Sequence, residues 1–393
     1  MMQSRTAENS YQRTDKSIVG RWWWSVDRWT LGALLLLVTI GIVLVSAASP
    51  AVAERIHLQP FYFVYRHIAF LIPALGIMFG VSLLGRKMLW RTALVVLGAS
   101  MVLMLATIFF GVEIKGATRW IRILGFSLQP SEFAKPAFAV VCAWLMARHH
   151  AQPGFPGQQL GTGVYALVLA LLLLQPDLGM SLVLSSIWAV QIFLAGLPML
   201  LVIGLAVLGV VGILGAYMFF PHVASRIDRF LDPSSGDNYQ VQKSLDAFSN
   251  GGLFGTGPAH GQVKLNLPDA HADFIFAVCG EEMGLIAAVM LVCIFGFILL
   301  RSVIRVMNSE DLFIVLASGG LLTQFALQSL IHMGSSLQLL PAKGMTLPFI
   351  SYGGSSLLSL GLAMGMLLSL TRKRTQGSPS GNWRGWTLGE SNA

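Results

Sequence analysis

Long apolar runs separated by short polar stretches dominate the chain. A helix needs roughly 20 predominantly apolar residues to cross the hydrocarbon core of a bilayer. Runs of that order recur at 29–49, 61–84, 90–111, 131–148, 161–176, 178–195, 198–220, 273–300, 311–333 and 351–371. The pattern predicts an all-α, polytopic membrane protein with about ten transmembrane helices. Breaks at Gln175-Pro176-Asp177 and Ala195-Gly196-Leu197-Pro198 separate neighbouring spans, because proline and glycine disfavour continuous helix. Joining across them gives eight spans, with two implausibly long helices.

The polar remainder organises the chain into a tail over 1–28, a membrane domain over 29–371 and a second tail over 372–393. Both tails have the polar texture of solvated, disordered extensions. The first apolar run, Leu31 to Ala48, is long enough to span and lacks a convincing processing site, so it reads as a retained anchor. Lys and Arg near the span ends place both tails on the cytoplasmic side. Trp22, Trp23, Trp24 and Trp29 fit an interfacial aromatic belt there. Three loops on the opposite side, 112–130, 221–272 and 334–350, keep positive charge against the orientation rule, which suggests another use for it. The longest, 221–272, is one large extracytoplasmic loop. Within it Val241, Leu245 and Phe248 recur at helical spacing among polar residues, predicting a short amphipathic helix on the membrane surface or over a cavity.

Composition agrees: 55% of the 393 residues are hydrophobic and only 11% charged, against about 25% charged in soluble domains. The net charge of +8 is scattered over helix ends, not gathered into the basic face that nucleic-acid binding requires. Cys142, Cys279 and Cys293 lie in apolar runs without metal or disulfide spacing and read as packing residues.

Candidate chemistry concentrates on the outer side. Asp273 stands at the mouth of the eighth span, where an ionisable residue is a functional hypothesis by default; helix capping is the alternative. On an ideal helix Ala277, Gly280 and Gly284 share its face, forming a smooth strip that serves helix packing or leaves room for a lipid tail. Glu281 falls near that face and Glu282 away from it, both candidates for buried pairing. Glu132 and Lys135 lie one turn apart, either a local ion pair or a cation presented near the surface. Lys115, Arg119 and Lys343 add positive charge on the same side, and together such residues suit a diphosphate. Asp177 either caps a helix or lines a cavity. The run Gly251-Gly252-Leu253-Phe254-Gly255-Thr256-Gly257 lacks the Gly-Lys-Ser/Thr of a phosphate loop and reads as turns. His149-His150 have no metal-ligand partners, and no zinc or Ser/His/Asp arrangement is visible.

Several segments, in order, resemble the SEDS family (shape, elongation, division and sporulation). They are Ser25-Val26-Asp27-Arg28, Gly116-Ala117-Thr118-Arg119-Trp120, Gln129-Pro130-Ser131-Glu132, Gln175-Pro176-Asp177-Leu178-Gly179, Asp269 to Ala277 followed by Glu281-Glu282-Met283-Gly284, and Leu347-Pro348-Phe349-Ile350-Ser351-Tyr352-Gly353-Gly354-Ser355-Ser356. The lead-in Lys343-Gly344-Met345-Thr346 resembles the division branch more than the elongation branch. Ala272 replaces the family's threonine, and Gly334-Ser335-Ser336-Leu337-Gln338 departs from a Gly-Val-rich version; neither removes the carboxylate.

The resemblance implies a peptidoglycan glycosyltransferase that polymerises Lipid II at the septum in the bacterial inner membrane. It also implies a working unit with a class B penicillin-binding protein and other septal division proteins. On that reading Asp273 is the general base, with Arg119, Lys135, Lys343, Glu132, Lys115, His271 and Ser351 as substrate-binding candidates. The resemblance implies no definite cofactor; a divalent cation such as Mg would assist a diphosphate, but no metal cage is legible. Rival expectations are a Lipid II flippase and a non-catalytic division scaffold.

Overall fold

The computed structural model describes residues 17–114, 117–123, 126–196, 239–341 and 344–373, with scattered positions between 204 and 228. Helices α1 (Ile18–Ser25), α2 (Arg28–Arg55), α3 (Tyr62–Ser82) and α4 (Arg86–Phe110) come first. Strands β1 (Val112–Ile114), β2 (Ala117–Ile123) and β3 (Phe126–Leu128) follow. Next are α5 (Pro130–Ala151), α6 (Gly157–Leu174), α7 (Leu178–Leu194), α8 (Tyr239–Gly251), α9 (Ile275–Met307), α10 (Leu312–Ser336) and α11 (Gly354–Leu370). Continuous helices occupy nine of the ten predicted spans. In the remaining one, 198–220, described positions such as Gly204, Val207 and Met218 are helical. Both tails lie largely outside the described residues.

Six of these helices are long and apolar enough to cross a membrane: α2, α3, α4, α6, α9 and α10. The apolar helices α7 and α11 are shorter. α5 carries Glu132, Lys135 and Arg148 in its 22 residues, yet most of it is buried by protein. Glu132 and Lys135 are therefore shielded from lipid by neighbouring helices, the usual setting for ionisable groups at membrane depth. α11 is buried from Ser355 to Leu370 almost without interruption, so α5, α10 and α11 form the centre. Outer helices bury one stripe each, as α2 does with Leu34, Leu37, Gly41, Leu44, Val45, Ala48 and Val52, and turn the rest to lipid.

Three boundaries differ from the sequence reading, each for a tertiary reason. α2 continues through Pro50 to Arg55 because Ala51, Val52 and Ala53 are buried, and packing overrides local propensity. α9 starts at Ile275 because the amides of Ala272 and Asp273 both bond the Asp269 carbonyl in a turn. α11 starts at Gly354 because Ser351 and Tyr352 are tied to that turn. The predicted amphipathic helix exists as α8, buried through Ser244, Ala247 and Gly251 against α9. The outer loop 112–130 forms an antiparallel sheet ordered β1-β2-β3, with Val112 opposite Trp120 and Ile121 opposite Leu128.

At the end predicted to face the cytoplasm, Asp27 is buried beside Arg301 and Arg305, with Arg301 Nε 3.0 Å from its carboxylate. Burial pulls the Asp27 carboxyl upward, but bonds from Arg301 and Thr30 and the charge of Arg305 outweigh it and hold it below its ordinary value. Arg372 binds Ser25 and the Ser82 carbonyl at the same end. The termini of the helical domain are thus closed against each other there. The candidate residues lie at the other end.

Candidate active site

The segment Leu267–Phe274 approaches α9 as a tight turn, with Asp269 at φ +51°. A non-glycine residue held at positive φ stores strain that the surroundings must outweigh. Here they do. The Arg55 guanidinium donates to the Leu267 carbonyl at 2.6 Å, and the Tyr352 amide donates to the His271 carbonyl at 2.9 Å. The Ser351 hydroxyl donates to the Ala272 carbonyl at 2.7 Å and accepts the Leu347 amide at 2.8 Å. The His271 ring lies 4.0 Å from Phe63 and 5.2 Å from Tyr352. Burial pushes its pKa down to about 4, assisted by Arg55 and opposed by Asp269. His271 is therefore a neutral packing and positioning group, and Ser351 a brace.

Asp273 emerges from this turn half-buried. The N-cap of α9 is Phe274, so Asp273 does not occupy the capping position. Gly344 stands over the carboxylate: a Cβ built on it would lie 3.4 Å from Oδ2. The loop carrying Gly344 is fixed from below by α10. Nδ1 of His332 is 2.6 Å from the Met345 carbonyl. The Gln328 amide donates to Thr346 at 3.3 Å, and Thr346 bonds Ser356 at 2.6 Å. Lys343 and Lys115 lie outside the described residues.

The start of α11 links this turn to the other predicted residues. Ser355 accepts from the Gln129 amide at 3.0 Å, and Ser359 donates to the Glu132 carbonyl at 2.7 Å. Lys135, 1% exposed, faces Glu132 at 2.9 Å and the Met180 sulfur at 3.1 Å, so the local ion pair is formed. Arg119 bonds the carbonyls of Gln175 and Pro176 and sits 3.6 Å from Asp177. Asp177 caps α7 through the Met180 amide and also meets Gln129. The cap reading of Asp177 is the one realised.

The packing reading of the small-residue face is the one realised. The face of Ala277, Gly280 and Gly284 is not an open channel for a lipid tail. A Cβ on Gly280 would fall 2.2 Å from the Phe248 ring, and one on Gly284 would meet Gly255 and Leu253 backbone at 2.4 Å. The glycines admit protein instead. Gly284, at φ +81°, breaks α9, and the 251–257 turn fills the break. Amides of Thr256 and Gly257 donate to the carbonyls of Glu281 and Glu282, while Leu285 and Ile286 donate to Gly252 and Leu253. Glu281 finds the buried partners expected of it. Its carboxylate accepts the amides of Val263 and Lys264 at 2.7 and 2.9 Å and the Asn250 side chain at 2.9 Å. Glu282 pairs with buried Lys264.

Arg55 and Arg66 were not singled out by sequence. Both stand at the Asp273 end, Arg55 on Leu267 and Arg66 on the Tyr62 hydroxyl at 2.8 Å. The signal was present, since they too are cations at outer span ends.

Residues 28–376 match the family of cell cycle proteins that groups FtsW, RodA and SpoVE. A probable peptidoglycan glycosyltransferase FtsW of Caulobacter vibrioides is 40% identical over 369 residues, covering 94% of this chain and 95% of that protein. One from Saccharophagus degradans is 38% identical, covering 88% and 93%. Among solved structures, a chain of a peptidoglycan synthase complex that coordinates polymerization and crosslinking superposes with a TM-score of 0.74 at 28% identity, covering 89% of this chain and 98% of that one. The rod shape determining protein RodA of Thermus thermophilus gives 0.64 at 26%, covering 89% and 97%. The order of motifs, the helical architecture and the match over nearly the whole membrane domain agree: this chain is a polytopic membrane protein belonging to the FtsW–RodA–SpoVE family.

Proposed function

We propose that this protein is a peptidoglycan glycosyltransferase that polymerises Lipid II into glycan strands at the division septum of the inner membrane. The observation that carries the reading is a half-buried carboxylate, Asp273, held at one end of the helical domain by a braced turn among cations. Arg301, at the opposite end, bonds Asp27. From there α9 rises about 25 Å to its break at Gly284 at about 1.5 Å per residue and runs on through nine further residues to Ile275, whereas the hydrocarbon core is only about 30 Å thick. The carboxylate therefore belongs at the outer surface, the depth of a lipid-linked diphosphate.

Asp273 accepts the proton of the acceptor sugar's 4-hydroxyl as that oxygen attacks the donor's anomeric carbon. The carbon–oxygen bond to phosphate breaks, the lipid diphosphate leaves with the electron pair, and the anomeric centre inverts. Arg119, Lys135 and Lys343 are the proposed phosphate ligands, joined by Arg55 and Arg66, which stabilise the charge developing on the leaving group. Lys135 reaches a phosphate only by exchanging Glu132 for it, whereas Arg55 is exposed and Arg66 half-buried. Among the described residues no group of three or more His, Cys, Asp or Glu is placed to hold an ion. Were a divalent cation such as Mg to take part, Asp273 would hold it and the ion would supply charge neutralisation for the diphosphate. The superposition on a synthase complex chain supports a class B penicillin-binding protein as partner.

The test is purified protein with that partner and labelled Lipid II, product length being read on a gel. Asp273→Asn should give no strands while inserting and folding normally. Strands at near-normal rate from that variant would refute the role. A flippase needs charge along a two-sided path at mid-membrane; here Asp273, Arg55 and Arg66 stand together at one end of the helical domain.

A further inference from the structure

We infer that the hairpin formed by α8 and the following 252–266 segment is an interfacial anchor, with Leu253 and Phe254 inserted among the acyl chains of the outer leaflet. The inference rests on depth, exposure and continuity, and is independent of the proposed chemistry.

Depth comes from two rulers starting at the charged cluster of Asp27, Arg301 and Arg305, which the positive-inside pattern assigns to the opposite membrane surface. Along α9, Gly284 lies about 25 Å above Arg301 at about 1.5 Å per residue. Along α2, Ala47 lies about 28 Å above Arg28 by the same rise. The two rulers agree because the structure ties them together: Lys264 donates to the Ala47 carbonyl at 3.1 Å and pairs with Glu282, two residues from Gly284. Against a hydrocarbon core of about 30 Å, the 251–257 turn docked at Gly284 sits roughly 5 Å inside the outer boundary. Interfacial apolar segments characteristically bury by about 5–10 Å.

Exposure points the same way. Phe254 is 82% and Leu253 58% exposed at the turn. Leu285, Ile286, Val289 and Met290 of α9, which follow the break where the turn docks, are exposed as well. The turn is bonded to that surface, since Gly252 and Leu253 carbonyls accept the amides of Leu285 and Ile286. Backbone groups freed by the break at Gly284 are satisfied by the turn, the condition for irregular backbone at membrane depth. Lys243 and Asp246 of α8 form an exposed pair, while buried Ser244 ties the helix to Ser336 at the end of α10.

The test places a nitroxide at Phe254→Cys, with Asp246→Cys as the aqueous reference and Val289→Cys as the lipid reference, in a Cys293→Ser background. Cys142 and Cys279 are buried and need no replacement. The isolated chain is placed in lipid nanodiscs, and collision with oxygen is compared with collision with a water-soluble nickel chelate. The oxygen-to-nickel ratio at 254 should exceed that at 246 several-fold and fall below that at 289. Leu253→Cys should give the same order. A ratio at 254 equal to that at 246 would overturn the inference. So would protection of the site that appears only when a protein partner is added.

Discussion

Gly344 lies so close to Asp273 that a methyl group on it would stand 3.4 Å from the carboxylate, and Gly344 itself is at φ +60°. Two effects follow from adding a side chain there. The left-handed backbone costs an L-residue about 1–2 kcal/mol, and the new methyl takes space an acceptor hydroxyl needs. Gly344→Ala is therefore expected to fold, with a small drop in melting temperature, but to lose about tenfold in strand synthesis, equivalent to about 1.4 kcal/mol at the transition state. Initial rates on labelled Lipid II check this. An unchanged rate would separate the 344–346 loop from the reaction.

The same loop is positioned by His332, whose Nδ1 must carry the proton given to the Met345 carbonyl. His332→Leu leaves that buried acceptor unpaired, at a cost of about 1–3 kcal/mol, and loosens Gly344 over Asp273. kcat should fall more than KM rises. His332→Asn keeps an amide donor on a shorter side chain and should recover most of kcat. Equal losses for both variants would point to a packing role alone.

Removing one partner of a buried ion pair leaves the other charge uncompensated, which costs about 3–5 kcal/mol. Lys264 and Glu282 form such a pair, 5% and 0% exposed. Glu282→Gln is expected to lower the melting temperature in detergent markedly. Lys264→Met combined with Glu282→Gln should regain part of it. A double variant less stable than either single one would contradict the pairing.

How much of this was legible in the sequence depends on how local each interaction is. Glu132 and Lys135 are three residues apart, so their ion pair followed from helical spacing. Asp273 was marked by its position at a span entrance. The brace between Ser351 and Ala272 joins positions 79 residues apart, and no periodicity encodes it. The break at Gly284 was hidden because an apolar run with small residues reads as continuous helix. Its cause is a turn from a distant loop. Arg55 and Arg66 lie outside the three charged outer loops, although the same wrong-side charge argument covers them.

His271 sets a pH dependence whose sign can be worked out. Its pKa falls from 6.5 to about 4 in the folded protein because the ring is buried against Phe63 and Tyr352. The unfolded chain therefore takes up a proton first as pH drops. Stability from the neutral ring is complete above about pH 6.5 and is lost as pH falls toward 4, amounting to about 2 kcal/mol by pH 5. His271→Phe retains an aromatic partner for Phe63 but cannot protonate. Melting temperatures measured from pH 7 to pH 5 should decline less steeply for the variant than for the parent. Parallel curves would mean that His271 is not held neutral, and that the turn beneath Asp273 is more open to water than its packing indicates.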